Sequence, residues 1–390
     1  MLIKKLKLNG LLSFGPDTEP LPLQPLNVLI GPNGSGKSNL IEAIGFLRSA
    51  ATKLAGPMRG VGGGGVGEWI WKGDDNRHAS IEAVIEYPQG FMPLRHRIEF
   101  AEVASRFELI DEAIENSEAD AGHDDPFFYY RFQNGHPALS VNDGVKRQLK
   151  REDVAPDESI LSQRKDPDQY PELAYLSETY GQIRLYREWS FGRSSVFRSP
   201  QSADLPGDRL EEDFSNLGLF LNHLRGVPRA KKTIVEHLRN LYAGLSDFDI
   251  RIKGGMVEVF LTEGEFIIPA SRLSDGTLRY LCLLAILCDP TPPELICIEE
   301  PELGLHPDML PRIADLLIDA SERTQLVVAT HSDILVDAMT EQPESVVVME
   351  KHDGKTVAQR LSATDELKTW LDKYRLGELW TKGEIGGTRW

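Results

Sequence analysis

The chain has only three cysteines in 390 residues. Cys282, Cys288 and Cys297 lie in apolar runs without the paired spacing of a metal knuckle, which argues against a disulfide framework or zinc site and for buried thiols in a reducing compartment. No apolar run is long enough to cross a bilayer, and no charged-then-apolar leader opens the sequence, so a cytoplasmic protein with no membrane partner is expected. Positive charge is scarce: 43 Lys and Arg face 60 Asp and Glu, a formal charge of −17. That argues against a uniformly basic coat for nucleic acid, and leaves any DNA contact to local clusters. Sustained heptads and internal repeats are also lacking, so no long coiled-coil arm fits in this length.

What is present reads as alternating strands and helices. Leu2 to Leu12 mixes apolar and basic residues like a strand with one wet face, and Leu26 to Ile30 is apolar apart from Asn27, like a strand buried on both faces. It runs into a Gly-rich turn and then a helix with Leu40, Ile44 and Leu47 on one face. The glycine cluster from Gly60 to Gly67, followed by Trp69 and Trp71, reads as a flexible loop leading into a sheet-edge strand at Ser80 to Tyr87, with a role near the nucleotide or a partner as the alternative. Residues from about 101 to 160 are irregular and acidic (Asp111, Glu112, Glu115, Glu118, Asp120, Asp124, Asp125), the pattern of an insertion with a solvated face. A helical pattern fills Asp208 to about Leu241. The last third gives a strand at Met256 to Leu261, a buried helix at Thr277 to Cys288 and a buried strand at Leu295 to Ile298. An amphipathic helix with Ile313, Leu316, Leu317 and Ala320 follows, then strands at Leu326 to Ala329 and Ser345 to Met349. Strands alternating with helices imply an α/β fold with a mainly parallel sheet.

Three pieces carry chemistry. Gly31-Pro32-Asn33-Gly34-Ser35-Gly36-Lys37-Ser38 has the Gly, four residues, Gly-Lys-Ser pattern between a buried strand and a helix. There, glycines let backbone N–H groups point at phosphate oxygens and the helix N-terminus adds partial positive charge. Lys37 is expected to reach the β and γ phosphates and Ser38 to ligate Mg²⁺. Second, the apolar strand at 295–298 ends in Glu299 and Glu300, and neighbouring strand residues point to opposite faces, so the two carboxylates can take different tasks. Glu299 suits a water-mediated hold on Mg²⁺ and Glu300 the orientation or deprotonation of an attacking water. Third, His331 follows the next strand and suits a hydrogen bond to the γ-phosphate or that water.

In this order the elements resemble the ABC-type ATPase heads of the SMC, RecF and OLD-like group. Leu273-Ser274-Asp275-Gly276-Thr277 is similar to that group's signature, which binds the γ-phosphate held by the opposite subunit. Leu273, Ser274 and Gly276 match; Asp275 and Thr277 depart from the transporter form. Pro301 to Pro307 looks like the D-loop, Ala329-Thr330-His331-Ser332 like the switch histidine, and Leu6, Leu8, Asn9, Leu12, Ser13 and Phe14 like the first strand of SMC and RecF heads. Glu299 stands where many heads have Asp.

The resemblance implies a P-loop NTPase head with a mainly parallel sheet flanked by helices, an antiparallel β subregion and a helical insertion. Residues 1–100 would form an ATPase lobe with the phosphate loop, 101–248 an insertion and helical lid, and 249–350 a second ATPase lobe; the aromatics and glycines of 351–390, Trp370, Tyr374, Trp380, Gly386, Gly387 and Trp390, suit a C-terminal docking tail, with plain packing on the sheet as the alternative. By the same resemblance, Asn33, Gly34, Ser35, Gly36, Lys37, Ser38, Asn39, Ser274, Asp275 and Gly276 would bind ATP, and Ser38, Glu299 and a Q-loop glutamine would hold Mg²⁺. Gln163 is the candidate for that glutamine and Gln182 the fallback.

The function implied is an ATP-gated clamp, a slow ATPase that dimerises head to head on ATP and acts in DNA repair or anti-phage defence, with DNA or a separate effector or nuclease as partner. The basic clusters Lys146, Arg147, Lys150, Arg151 and Arg229, Lys231, Lys232 are the local candidates for DNA contact, with an ordinary solvated face as the alternative. Competing functions are the ATP-binding subunit of a membrane transporter and a scaffold ATPase with very slow turnover.

Overall fold

The computed structural model describes residues 1–390 except 61, 74–76, 134–135, 141–145, 149–154, 156, 190–191, 243, 363 and 388–390, so Lys150, Arg151 and Trp390 lie outside the described residues. The chain divides into two compact units: residues 1–183, 342–370 and 379–390 form the first, and 184–341 with 371–378 the second.

The first unit contains an eight-stranded antiparallel sheet. Its strand Ile3–Asn9 alternates buried and wetter residues as expected, and pairs with His78–Ile85. That second strand has Leu94–Val103 on its other side, so it is interior and not an edge. The glycine cluster ahead of it is more ordered than a flexible loop, because Trp69 is buried against Phe46 and its indole N–H donates to Gly63 O at 3.2 Å.

The acidic stretch after residue 101 is likewise no irregular insertion: Leu94–Val103, Arg106–Asn116, Phe128–Gln133 and His136–Ser140 continue the meander. Glu118, Asp120, Asp124 and Asp125 are exposed as expected, but Asp111, Glu112 and Glu115 are paired within the fold. Glu115 is 2% exposed between Arg95 and Arg131, and Asp111 pairs with Arg97. Glu112 is fully buried, taking hydrogen bonds from Ser159 Oγ and Ile160 N and facing His96 Nε2 at 3.2 Å. A pattern of carboxylates therefore looked solvated while its partners lay on neighbouring strands.

In the same unit the fully buried strand Leu26–Ile30 pairs in parallel with Val346–His352, which pairs antiparallel with Lys355–Arg360. The segment expected to begin a docking tail is thus partly sheet. Trp380 is also buried, its indole N–H donating to Gly387 O at 3.0 Å; Tyr374, which belongs to the second unit, is 43% exposed.

The second unit is built on three parallel strands, Arg184–Tyr186, Leu295–Glu299 and Gln325–Ala329, paired in that order. The last is wholly buried, and each such aliphatic side chain contributes about 1.5–3 kcal/mol of burial. A small antiparallel sheet joins Gln201–Ser202, Leu245–Lys253, Met256–Glu263 and Phe266–Pro269. The helical region before it is two helices, Leu217–Arg225 and Pro228–Arg239. Pro228 lacks an N–H and disfavours the helical conformation at Val227, which splits the pattern there. The helix Leu310–Ser321 buries Ile313, Leu316, Leu317 and Ala320, the stripe seen in the sequence. Among the described residues no helix is long and apolar enough to cross a membrane.

Candidate nucleotide site

In the first unit, the turn after Leu26–Ile30 takes backbone angles that suit glycine: φ is 146° at Gly31, 79° at Gly34 and 105° at Gly36. A Cβ at Gly31 would collide with Met349 O. Lys37 opens the helix Lys37–Ser49 and is only 6% exposed, because its Nζ folds back onto Gly31 O at 2.7 Å and Pro32 O at 3.1 Å. This loops the lysine stem under the turn and holds its charge at the helix N-terminus. Asn33, Gly34 and Ser38 are exposed. Asn39 instead donates to Ser13 Oγ at 2.7 Å, and Thr356 bonds both Ser13 Oγ at 2.7 Å and Ser35 O at 2.9 Å. Ser13, singled out only as part of the opening strand, is thus a brace of the loop.

In the second unit the parallel strands deliver both carboxylates to one end. Glu299 pairs with Ala329, and Glu300 N donates to Ala329 O at 2.8 Å. Glu300 has φ 48°, a left-handed conformation unusual for a residue with a side chain, and turns its half-exposed carboxylate to the rim. His331 Nε2 lies 4.0 Å from Glu300 Oε1. Glu302 anchors this histidine's backbone: its Oε1 accepts from Thr330 Oγ1 at 2.8 Å and His331 N at 2.7 Å.

The signature turn Leu273 to Thr277 lies in the same unit. Ser274 is the N-cap of the helix Asp275–Leu287, its Oγ accepting from Thr277 N at 3.1 Å. Asp275, the departure from the transporter pattern, is gripped by Arg198 and by Gly192 N at 3.2 Å, and Arg198 also donates to Leu273 O at 2.6 Å. The Arg198 hydrogen bond is the main cause of a carboxyl pKa below the ordinary aspartate value. Gly276 is needed sterically, since a Cβ there would come within 2.9 Å of Gly304 O in the D-loop.

One turn further on, Arg279 is fully buried in an otherwise apolar helix. Its guanidinium lies 4.1 Å from the Trp189 ring centroid and donates to Glu300 O. Burial lowers its pKa to about 10, which still leaves it charged at neutral pH.

The proposed glutamines behave differently. Gln163 Oε1 accepts from Ala155 N at 3.0 Å and its Nε2 donates to Glu158 O and Ser159 O at 3.2 and 3.3 Å, so its amide is engaged in closing its own loop. Gln182 is an exposed residue ending the helix Pro171–Gln182. Beside the carboxylate strand stand Arg187 and Trp189 instead: Arg187 Nε reaches Glu299 Oε1 at 2.9 Å and Trp189 Nε1 reaches Glu299 O at 2.8 Å. Nothing in the sequence marked those two residues, whereas a lone arginine inside the apolar helix at 279 was a visible signal. Of the basic clusters, Lys231 pairs with Asp247 and Lys232 with Glu236.

The turn of the first unit fits the phosphates of a nucleotide. The glycine turn leaves no room for a Cβ at Gly31, Ser35 Oγ is buried without a hydrogen bond, and Lys37 is stored on two carbonyls. The hydroxyl of Ser38 in the first unit and the carboxylate of Glu299 in the second are each a hard oxygen donor of the kind Mg²⁺ selects.

The sequence matches the family described as "AAA domain, putative AbiEii toxin, Type IV TA system" over residues 26–337. No curated protein matches it. Among solved structures it is similar to the Smc head bound to the C-winged helix domain of ScpA, with a TM-score of 0.60 at 17% identity over 93% of this chain and 99% of that one. It is also similar to the Smc head domain with an extended coiled coil bound to the C-terminal domain of ScpA from Pyrococcus furiosus, with a TM-score of 0.57 at 14% identity over 95% and 99% of the two chains. A third is the Smc head domain with a coiled coil and joint from Pyrococcus yayanosii, with a TM-score of 0.53 at 13% identity over 96% and 99%. The chain belongs to this AAA-domain family and has the P-loop NTPase fold of an SMC-type ATPase head.

Proposed function

We propose that the chain is an ATP-hydrolysing switch whose two copies close head to head on ATP. The observation that carries this reading is the Glu300 and His331 pair, 4.0 Å apart and partly exposed at the strand ends, in a chain that also has the glycine-cradled Lys37. Asn33 to Ser38 would hold the phosphates through backbone N–H groups, with Lys37 leaving Gly31 O and Pro32 O for the β and γ phosphates. Ser38 and Glu299 would hold Mg²⁺, which when bound neutralises phosphate charge. Glu300 would accept the proton of the attacking water, and His331 would hydrogen-bond that water or the γ-phosphate. Ser274 and Gly276, exposed or half-exposed at the start of the signature helix, would bind the γ-phosphate held by the other copy.

A role in DNA repair or defence, acting through DNA or a separate effector, is the wider setting we propose for this switch. The test is the solution mass of the Glu300→Gln protein with and without ATP and Mg²⁺, by light scattering. A doubling on ATP is expected, with hydrolysis largely lost. An unchanged mass together with wild-type turnover would refute both the head-to-head closure and the role of Glu300.

A further inference from the structure

The carboxylate expected to hold the metal already has a cationic partner. Arg184–Tyr186 runs parallel to Leu295–Glu299 in the register Arg184↔Ile296, Leu185↔Cys297, Tyr186↔Ile298, so the next residue on each strand, Arg187 and Glu299, emerges side by side. Arg187 Nε meets Glu299 Oε1 at 2.9 Å, and two residues on, Trp189 Nε1 grips the Glu299 carbonyl at 2.8 Å. Trp189 is itself held under the guanidinium of Arg279, which donates to Glu300 O. The main chain of both carboxylates is therefore fixed by neighbours, while the Arg187 side chain is 31% exposed.

We infer, building on the nucleotide-switch reading above, that Arg187 is a positioning residue that stands in for the divalent cation at Glu299 and yields that carboxylate when Mg²⁺ arrives with the nucleotide. A guanidinium and a divalent cation held at one carboxylate repel each other, so each weakens the other's hold on Glu299. A metal held at Glu299, directly or through a water, thus favours release of Oε1 by the guanidinium. Without metal, Arg187 cancels the Glu299 charge that would otherwise repel the triphosphate. The segment 184–189 would thereby do the sensing task for which a glutamine was sought, by charge exchange and not by an amide.

The inference predicts how nucleotide affinity depends on metal. ATP affinity is measured by calorimetry for the wild type, Arg187→Ala, Arg187→Gln and Arg187→Lys, each in excess Mg²⁺ and in EDTA, with circular dichroism to check folding. Removing the charge is expected to weaken metal-free binding by about tenfold, the scale of one partly screened charge pair, and to leave Mg²⁺-supported binding nearly unchanged. The ratio of the two dissociation constants thus rises about tenfold in Arg187→Ala and Arg187→Gln and returns towards wild type in Arg187→Lys. A merely structural ion pair would weaken both conditions alike, and an unchanged ratio in the folded neutral variants would overturn the inference. If the wild type itself binds no ATP in either condition, the nucleotide reading falls first and this inference with it. Trp189→Phe, which keeps Arg187 but loses the indole N–H, is expected to leave the ratio as in wild type.

Discussion

Arg279 and Glu300 are joined through the main chain: the fully buried guanidinium of one donates to the carbonyl of the other while lying 4.1 Å from the Trp189 ring. This ties the helix that begins at the signature serine to the tip of the strand that carries both carboxylates. A contact at Ser274 is thus five positions along one helix from the arginine that bonds the Glu300 backbone.

Arg279→Ala leaves a cavity, a Glu300 carbonyl with Leu303 N as its remaining donor at 3.1 Å, and an indole without its cation. It is expected to lower the free energy of unfolding by about 3 kcal/mol, read by urea denaturation. Arg279→Lys keeps the charge without the flat fork that stacks on the ring, and is expected to recover less than half of that loss. A loss under about 1 kcal/mol for the alanine variant would show that the contact does not brace the carboxylates.

Ser274 has two separable roles. As N-cap it accepts from Thr277 N, so Ser274→Ala is expected to cost about 1 kcal/mol of stability. As the exposed head of the signature helix it is proposed to meet the other copy's nucleotide. Ser274→Arg is therefore expected to abolish ATP-driven doubling of mass in the Glu300→Gln background while each copy still binds ATP. A dimer that forms regardless would refute the head-to-head geometry.

Much of this was legible beforehand because short-range pattern decides it. The apolar strands at 26–30 and 325–329, the helix at 310–321 and the glycine turn between strand and helix are each fixed by local periodicity or by the conformational freedom of glycine. What stayed hidden depends on partners distant in sequence. Glu112 and Glu115 read as solvated until their strand neighbours His96, Arg95 and Arg131 are placed beside them. Gln163 looked available because a glutamine's loop hydrogen bonds leave no trace in spacing, and Arg187 gained meaning only from its register beside Glu299. Asp275, which looked like a weakened signature, is explained by Arg198, 77 residues earlier.

The Asp275 and Arg198 clamp also predicts a pH dependence. The folded carboxyl titrates below the ordinary value of 3.8, so its stabilising contribution is complete above that value and is lost as pH falls through the lower folded value. The stability difference between the wild type and Asp275→Asn is therefore expected to be constant above about pH 5 and to shrink below about pH 4. Urea midpoints across this range measure it; a difference that grows towards acid would contradict the assigned contact.

Backbone strain at Glu300 gives the last prediction. At φ 48° a side-chain-bearing residue sits about 1–2 kcal/mol above its right-handed alternatives, and glycine escapes that cost. Glu300→Ala and Glu300→Gly both remove the carboxylate, so both are expected to lose hydrolysis. Their stabilities should nevertheless differ, with the glycine variant more stable by about 0.5–1 kcal/mol once its greater unfolded-state freedom is subtracted. In an ordinary strand or helix position the order would be reversed. An alanine variant as stable as the glycine one would mean that Glu300 relaxes out of the left-handed region. The carboxylate would then not be held at the rim beside His331 by its backbone, and its position would have to come from its side chain alone.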